Sequence, residues 1–275
     1  MSTIVVKDGN IADKYYNVVG SGTALDPFQQ VVPDYRIANA IRNIAVNYSD
    51  TVSVYEKAKN LVKFGQNPSL AAGTEETVWS TGGIEVLETT NAIDRLVSTD
   101  AGDTQTVVIE GHTISGSDFT FVTQTATLNG TTPVVLTTLL ARTSRIYNTG
   151  STDFAGTITV YTNGGDTHLT ASGSDDQSLK CATTISSTDY WIITGFDVAV
   201  NRSNVANVDF KLQVMEYGGV FRTQYFTSQA NGGSYFTFDQ PLIVKPNSDV
   251  RVQATSNAAN TSVGSSIHGY LAIVQ

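Results

Sequence analysis

The chain has 275 residues, 16 Lys and Arg against 25 Asp and Glu, and a formal net charge of −9. Its 40% hydrophobic content is enough for real cores, and its acidic balance argues against a nucleic-acid ligand, whose phosphates it would repel. Only 15% of residues are charged, against about 25% in an average globular protein. Their place is taken by Thr, Ser, Asn and Gly, which favours strands joined by tight turns. No stretch approaches the roughly 18–20 continuous apolar residues of a membrane-spanning helix, and the opening residues lack the pattern of a secretory signal. The expectation is a soluble chain with no membrane partner.

Residues 1 to about 32 show no sustained periodicity and read as an extended arm. Residues 1–66 hold 7 basic and 6 acidic side chains, a net of +1, leaving 9 and 19 in residues 67–275, a net of −10. Residues 33–64 carry the helical signals. Pro33-Asp34 is a start signal, and Ile37, Ile41, Ile44 and Tyr48 follow at spacings that share one face. Ser53-Val-Tyr-Glu56 is a capping box that opens a second predicted helix, Val54–Phe64, ending at Gly65 with Pro68 just beyond. The apolar stripe fits packing on the chain's own sheet or a seam with copies of itself. Ile37, Ile41, Ile44, Tyr48, Tyr55 and Trp79 are the candidate contact residues.

From residue 76 onward the pattern is all-β. Thr106–Ile109, Phe119–Phe121, Val134–Leu136, Gly156–Thr162, Trp191–Ile193, Phe196–Val200, Phe210–Met215, Val220–Phe226, Tyr235–Phe238, Asp249–Ala254 and Ile267–Val274 read as strands. Asn163-Gly164 suggests a type I′ hairpin, and Gly218-Gly219 another turn. Together these predict a mainly β fold of jelly-roll-like antiparallel sandwiches behind an N-terminal arm and a short helical segment. The expected organisation is residues 1–75 as arm and helical docking segment, 76–140 as a small β region, and 141–275 as a C-terminal sandwich.

Chemistry is sparse in the sequence. The three histidines, His112, His168 and His268, show no metal-ligand spacing, and no nucleophile elbow accompanies them. The paired carboxylates Glu75-Glu76 and Asp175-Asp176 read as a solvated connector and a turn, and Glu85 with Glu88 as a pair on a strand. Asp100, Asp103, Asp175 and Asp176 do not form a calcium-loop pattern. Cys181 stands alone, so neither an intrachain disulfide nor a multi-thiolate zinc site can form, and a buried structural thiol is expected. Trp191 reads as core. These readings lead us to expect no catalytic residues, no cofactor and no metal.

Three stretches resemble tailed-bacteriophage virion proteins, particularly those of marine phages. They are Val54–Pro68 leading into Val78–Gly83; Leu128–Leu136 continuing through Arg145–Gly150 and Gly156–Val160; and Phe238–Pro246 with Asp249–Ala254. The resemblance implies a non-enzymatic head decoration or cement protein, seated on the major capsid protein as a homotrimer and assembled in the host cytoplasm. A receptor- or glycan-binding fibre or tail module is the alternative, and a tail-associated glycan hydrolase or lyase a third.

Overall fold

The computed structural model describes residues 2–7, 13–19, 29–30 and 58–273, except 174 and 203–205. The chain divides into two compact units, Met1–Val54 and Tyr55–Gln275. In the first, β1 (Ser2–Lys7) pairs antiparallel with β2 (Asp13–Val19), which pairs in turn with β3 (Gln29–Gln30). A small sheet thus stands where the sequence suggested an extended arm. The predicted helix carrying Ile37, Ile41, Ile44 and Tyr48 lies outside the described residues, as does Tyr55.

The second unit begins with a correction. Residues predicted to end a helix at Phe64 form β4 (Ala58–Leu70), a 13-residue strand. Its side chains alternate between the two faces: Lys63, Gly65 and Asn67 are buried, whereas Val62, Phe64 and Gln66 are exposed. Helical propensity is a weak prior, and the long antiparallel pairing with the last strand, from Leu70↔Thr261 to Ala58↔Ala272, overrides it. Gly65, expected to close a helix, is required instead by close packing. A Cβ there would sit 2.2 Å from Cys181 N and 2.4 Å from Val78 O. Pro68 falls where the register shifts, between Asn67↔Val263 and Leu70↔Thr261, so its missing N–H breaks no regular ladder.

After the short β5 (Glu75–Thr77) come seven strands that build one sandwich: β6 (Ile93–Ser98), β7 (Thr106–Ser115), β8 (Asp118–Thr127), β9 (Val134–Leu140), β10 (Arg142–Asn148), β11 (Ile158–Thr162) and β12 (Thr167–Ala171). Their two sheets run β10-β7-β8 and β12-β11-β6-β9. Ile93, Leu96, Val107, Ile109, Leu136, Leu140, Ile146, Ile158, Val160 and Leu169 fill the space between them. This core continues through residue 140 instead of stopping there. The β11–β12 turn differs from the predicted type I′. Gly165, at φ +101°, takes the left-handed position, its N–H donates to Thr162 O at 2.9 Å, and Asn163 keeps a negative φ.

The remaining strands are β13 (Ala182–Ile185), β14 (Asp189–Asn201), β15 (Val208–Glu216), β16 (Arg222–Gln229), β17 (Gly232–Val244), β18 (Ser248–Ser256) and β19 (Thr261–Ile273). With β4 they form a second sandwich of two four-stranded antiparallel sheets, β17-β14-β19-β4 and β13-β18-β15-β16, and β5 pairs with β18. Counting these eight strands in chain order from β4, the sheets read first-eighth-third-sixth and second-seventh-fourth-fifth. Leu70, Trp191, Phe196, Val198, Phe210, Leu212, Val252 and Ile267 interdigitate between them, and Trp191 is fully buried as expected. The first sandwich is therefore an insertion between the first and second strands of the other. The chain leaves and returns at one place, where Cys181 N–H donates to Val78 O and Ser80 N–H to Leu179 O, both at 2.9 Å.

Candidate interaction surface

Two polar constellations stand out, one buried where the chain passes between the sandwiches and one on an open sheet face. At the first, Lys180 Nζ donates to Glu85 Oε1 at 2.5 Å and to Thr143 O at 2.7 Å. Its ammonium also lies 5.5 Å from the centre of the Trp79 ring. Trp79 is 2% exposed, and its indole N–H donates to Gly82 O at 2.8 Å and Gly83 O at 3.1 Å. Of the candidate contact residues, Trp79 is thus placed inside the fold, where little of it can meet another molecule.

Nearby, Arg142 makes a two-pronged pair with Asp249 at 2.9 and 3.0 Å, and its Nη1 donates to the carbonyls of Ala141 and Glu88. Asp249 also accepts the Thr184 hydroxyl at 2.6 Å. Lys63 reaches Ser144 O at 3.2 Å, and burial lowers its pKa to about 8. Burial likewise pushes His112 down to about 3, assisted by the charges of Lys63, Arg142 and Lys180. His112 packs between the rings of Phe119 and Phe121, and its Nδ1 has no hydrogen-bond partner. His168 is lowered to about 4, again chiefly by burial. Its Nε2 lies 3.1 Å from Glu88 Oε1 but off the hydrogen-bonding direction, and a neutral imidazole forms no ion pair there.

The carboxylate pairs are taken apart by the fold. Glu85 faces Lys180 while Glu88 faces His168, and neither lies on a strand. Glu76 is no solvated connector. Burial alone would raise its pKa, but the amides of Ala71 and Gly83, both at 2.8 Å, and of Asn67 at 3.0 Å hold the carboxyl below its ordinary value. Asp103 is fully buried and spends its oxygens on Ser98 and on the amides of Ala155 and Gly156. Asp176 holds the amide of Phe154 at 2.9 Å within a turn. Among the described residues no three His, Cys, Asp or Glu side chains gather as metal ligands. Cys181 is buried with its Sγ 3.6 Å from Lys63 O, and burial pushes its thiol well up.

The second constellation was not legible as a unit. Cross-strand register places Tyr235, Asp197, Ser266 and Phe64 in one row across β17, β14, β19 and β4, with His268 and Val62 in the next. Asp197 accepts the Ser266 N–H at 3.0 Å, the Ser266 hydroxyl, and His268 Nε2 at 2.9 Å. Tyr235 meets His268 edge-on at 5.6 Å. A Ser-His-Asp set invites comparison with a nucleophilic triad, but the geometry is wrong for one. A triad imidazole binds serine with one nitrogen and the carboxylate with the other. Here both approach the same Nε2, the serine at 2.8 Å, and the hydroxyl is spent on the carboxylate. The signal in the sequence was the alternation of small and polar residues in β19, Ser262, Gly264, Ser266 and His268, which marks its outward face.

Around this network the sheet face is open and weakly charged. Tyr235 is 58% exposed, Val62 47% and Phe64 41%. Beside them lies a depression of about 320 Å³ lined by Phe64, Gln66, Leu179, Ala199, Ser262 and Gly264.

Neither a family model nor a curated relative matches the chain. A comparison with solved structures returns "Structure of infectious bursal disease virus Gt strain", at 9% identity over 82% of this chain and 79% of that one, with a TM-score of 0.14. That likeness is too slight to bear on fold or function.

Proposed function

We propose that this chain is a non-enzymatic structural protein of a tailed-phage virion, a head decoration or cement protein that binds the major capsid protein and stabilises the shell. The observation that carries the reading is the strand order of the second sandwich. First-eighth-third-sixth over second-seventh-fourth-fifth is the order of an eight-stranded jelly roll, an architecture that recurs in viral capsid and lectin domains. The sequence resemblance to phage virion proteins points the same way. So does the use made of charged side chains: Lys63, Arg142, Lys180, Glu76, Glu85 and Asp249 are spent on internal contacts. The surface then acts by touching its neighbours, and a homotrimer on the head is the assembly this reading expects.

Cosedimentation of the full chain with phage heads stripped of it tests the proposal. Saturable binding that delays thermal rupture of the heads is expected; heads that neither bind the chain nor gain stability from it overturn the reading. Deleting residues 1–50 should abolish binding if the N-terminal unit docks on the shell. The receptor-binding alternative draws on the β15–β16 turn, where Tyr217 is 42% and Val220 69% exposed. It predicts hits on a glycan array that Tyr217→Ala removes.

A further inference from the structure

A cavity of about 160 Å³ lies where β4 of the host sandwich passes the inserted one. Its walls come from both: Lys63 and Phe64 on β4, Glu110 on β7, Arg145 on β10, and Ser178 and Lys180 on the segment that returns to β13. The exposed side chains of Val62 and Phe64 mark the side on which it meets solvent. At roughly 30 Å³ for each water in the liquid, the space holds about five waters. It falls well short of the roughly 300–1,000 Å³ of a pocket for a drug-sized molecule. A small ion fits it, and a nucleotide does not.

The walls carry donors that the fold leaves unspent. Lys63 is 9% exposed, and among the described residues its ammonium meets one acceptor, Ser144 O at 3.2 Å, so two of its three N–H groups are free. Arg145 gives Nη2 to Gln177 Oε1 at 2.6 Å and sets its guanidinium 4.6 Å from the centre of the Tyr147 ring. Its Nε is buried and has no partner. The Ser178 hydroxyl accepts the Ile146 N–H at 3.0 Å and keeps its own proton to give. Leaving buried donors unmet is costly, and more so when they are charged. A ligand that supplies oxygen removes that cost at all three.

Charge selects the sign of that ligand. Lys180 is paired with Glu85 at 2.5 Å, which leaves Lys63 and Arg145 against Glu110, a local balance of +1 in a chain whose net charge is −9. A metal cation would find one carboxylate in the lining and two like charges beside it. An anion that only accepts hydrogen bonds answers the free donors and the local charge together.

The geometry points to a small-oxyanion site in this cavity, with the Lys63 ammonium, the Arg145 Nε–H and the Ser178 hydroxyl as its donors. The ligand is a sulfate, phosphate or carboxylate group, and its binding ties the inserted sandwich to β4 of its host. The site goes beyond the virion reading and does not depend on it.

Isothermal titration calorimetry of the full chain with sodium sulfate at pH 7 tests it, with sodium chloride at matched ionic strength as the control. Saturable binding of one sulfate per chain is expected. Lys63→Met keeps the apolar stem, removes the charge and should weaken binding about tenfold or more. Glu110→Gln removes the carboxylate that opposes the anion and should tighten binding about tenfold. Glu110 is only partly buried, so this second variant should melt with the unaltered chain. A pH series adds a signature of the ammonium itself. Burial lowers the Lys63 pKa to about 8, and the charged or titratable groups facing it are Glu110 on β7, Arg145 on β10, Lys180 before β13 and the Cys181 thiol, itself pushed well up. Affinity should hold steady below pH 8 and fall by up to about tenfold per unit above it, a dependence that Lys63→Met lacks. Sodium acetate in the same assay separates the sources: binding tighter than sulfate supports a carboxylate ligand, and weaker binding a tetrahedral oxyanion. No heat beyond the chloride control leaves the cavity to water and overturns the inference. Sulfate binding that both variants leave unchanged also overturns it, as an adventitious ion only.

Discussion

The junction between the two sandwiches and the open face of the β17-β14-β19-β4 sheet treat polarity in opposite ways. At the junction, charges are buried deep among backbone carbonyls: Arg142 and Asp249 have side chains only 6% and 5% exposed, and Lys180 2%. On the sheet face, the charged group is kept about one-third exposed and hydrogen-bonded by its strand neighbours, His268 and Asp197 being 33% and 35% exposed. The first arrangement fixes the inserted sandwich in one register on its host. The second leaves its groups within reach of water. A buried pair is a poor source of net stability but a severe penalty when half of it is removed, whereas a partly exposed group that water still reaches should tolerate change.

The sharpest test of that contrast is Arg142→Ala, which strands Asp249 inside the junction. Urea unfolding should show a loss of about 3–5 kcal/mol, and the double replacement Arg142→Met with Asp249→Leu should recover much of it. A loss under about 1 kcal/mol would mean that water reaches the pair and the contrast is false.

Next in size is the response to acid. His112 and His168 have folded-state pKa values near 3 and 4, below the roughly 6.5 of an unfolded histidine. The unfolded chain therefore binds protons that the folded chain refuses. Stability from these groups is complete above about pH 6.5 and is lost as pH falls toward 4, by up to roughly 1.4 kcal/mol per pH unit for each histidine. Unfolding midpoints measured between pH 7 and pH 5 should drop accordingly, ahead of Glu76 and Asp103, whose carboxyls are held below their ordinary values by hydrogen bonds that outweigh burial. His168→Gln should flatten the slope.

Ser266→Ala takes one hydroxyl bond from Asp197 but leaves the Ser266 amide and His268 in place, so a loss of about 1 kcal/mol is expected from thermal denaturation. Smallest of all, Lys245→Ala breaks an ion pair with Glu216 in which both side chains are about two-thirds exposed, and a change within about 0.5 kcal/mol should be all that calorimetry detects.

Ten strands from Thr106 onward were legible because their cores alternate and turn residues stand between them, whereas β10 and β12 were not singled out. β7, β8, β9, β11 and β14 through β19 fall on or around predicted strand cores. β4 was misread because Val54–Phe64 carries a capping box and a helix-like ending, both local signals, while its partner lies some 200 residues away in the sequence. The carboxylates were misread for a related reason. Glu75-Glu76 resembles a solvated run until Asn67 and the amides of Ala71 and Gly83 are brought around Glu76. Of the candidate contact residues, Trp79 was rightly singled out as unusual, but its neighbours are Lys180 and the Gly82-Gly83 turn of its own chain.

By itself the sequence determined the β class, the places though not the types of turns such as the one after Thr162, and the buried lone thiol, because alternation, turn residues and a count of one cysteine are local facts. Only the tertiary structure decided that one sandwich is threaded into another, that Lys180 meets Glu85 across 95 residues, and that Asp197, Ser266 and His268 share one face. Those outcomes depend on which strands pair, because alternation marks the outward face of each strand but does not name the strand, far away in the chain, that it will lie beside.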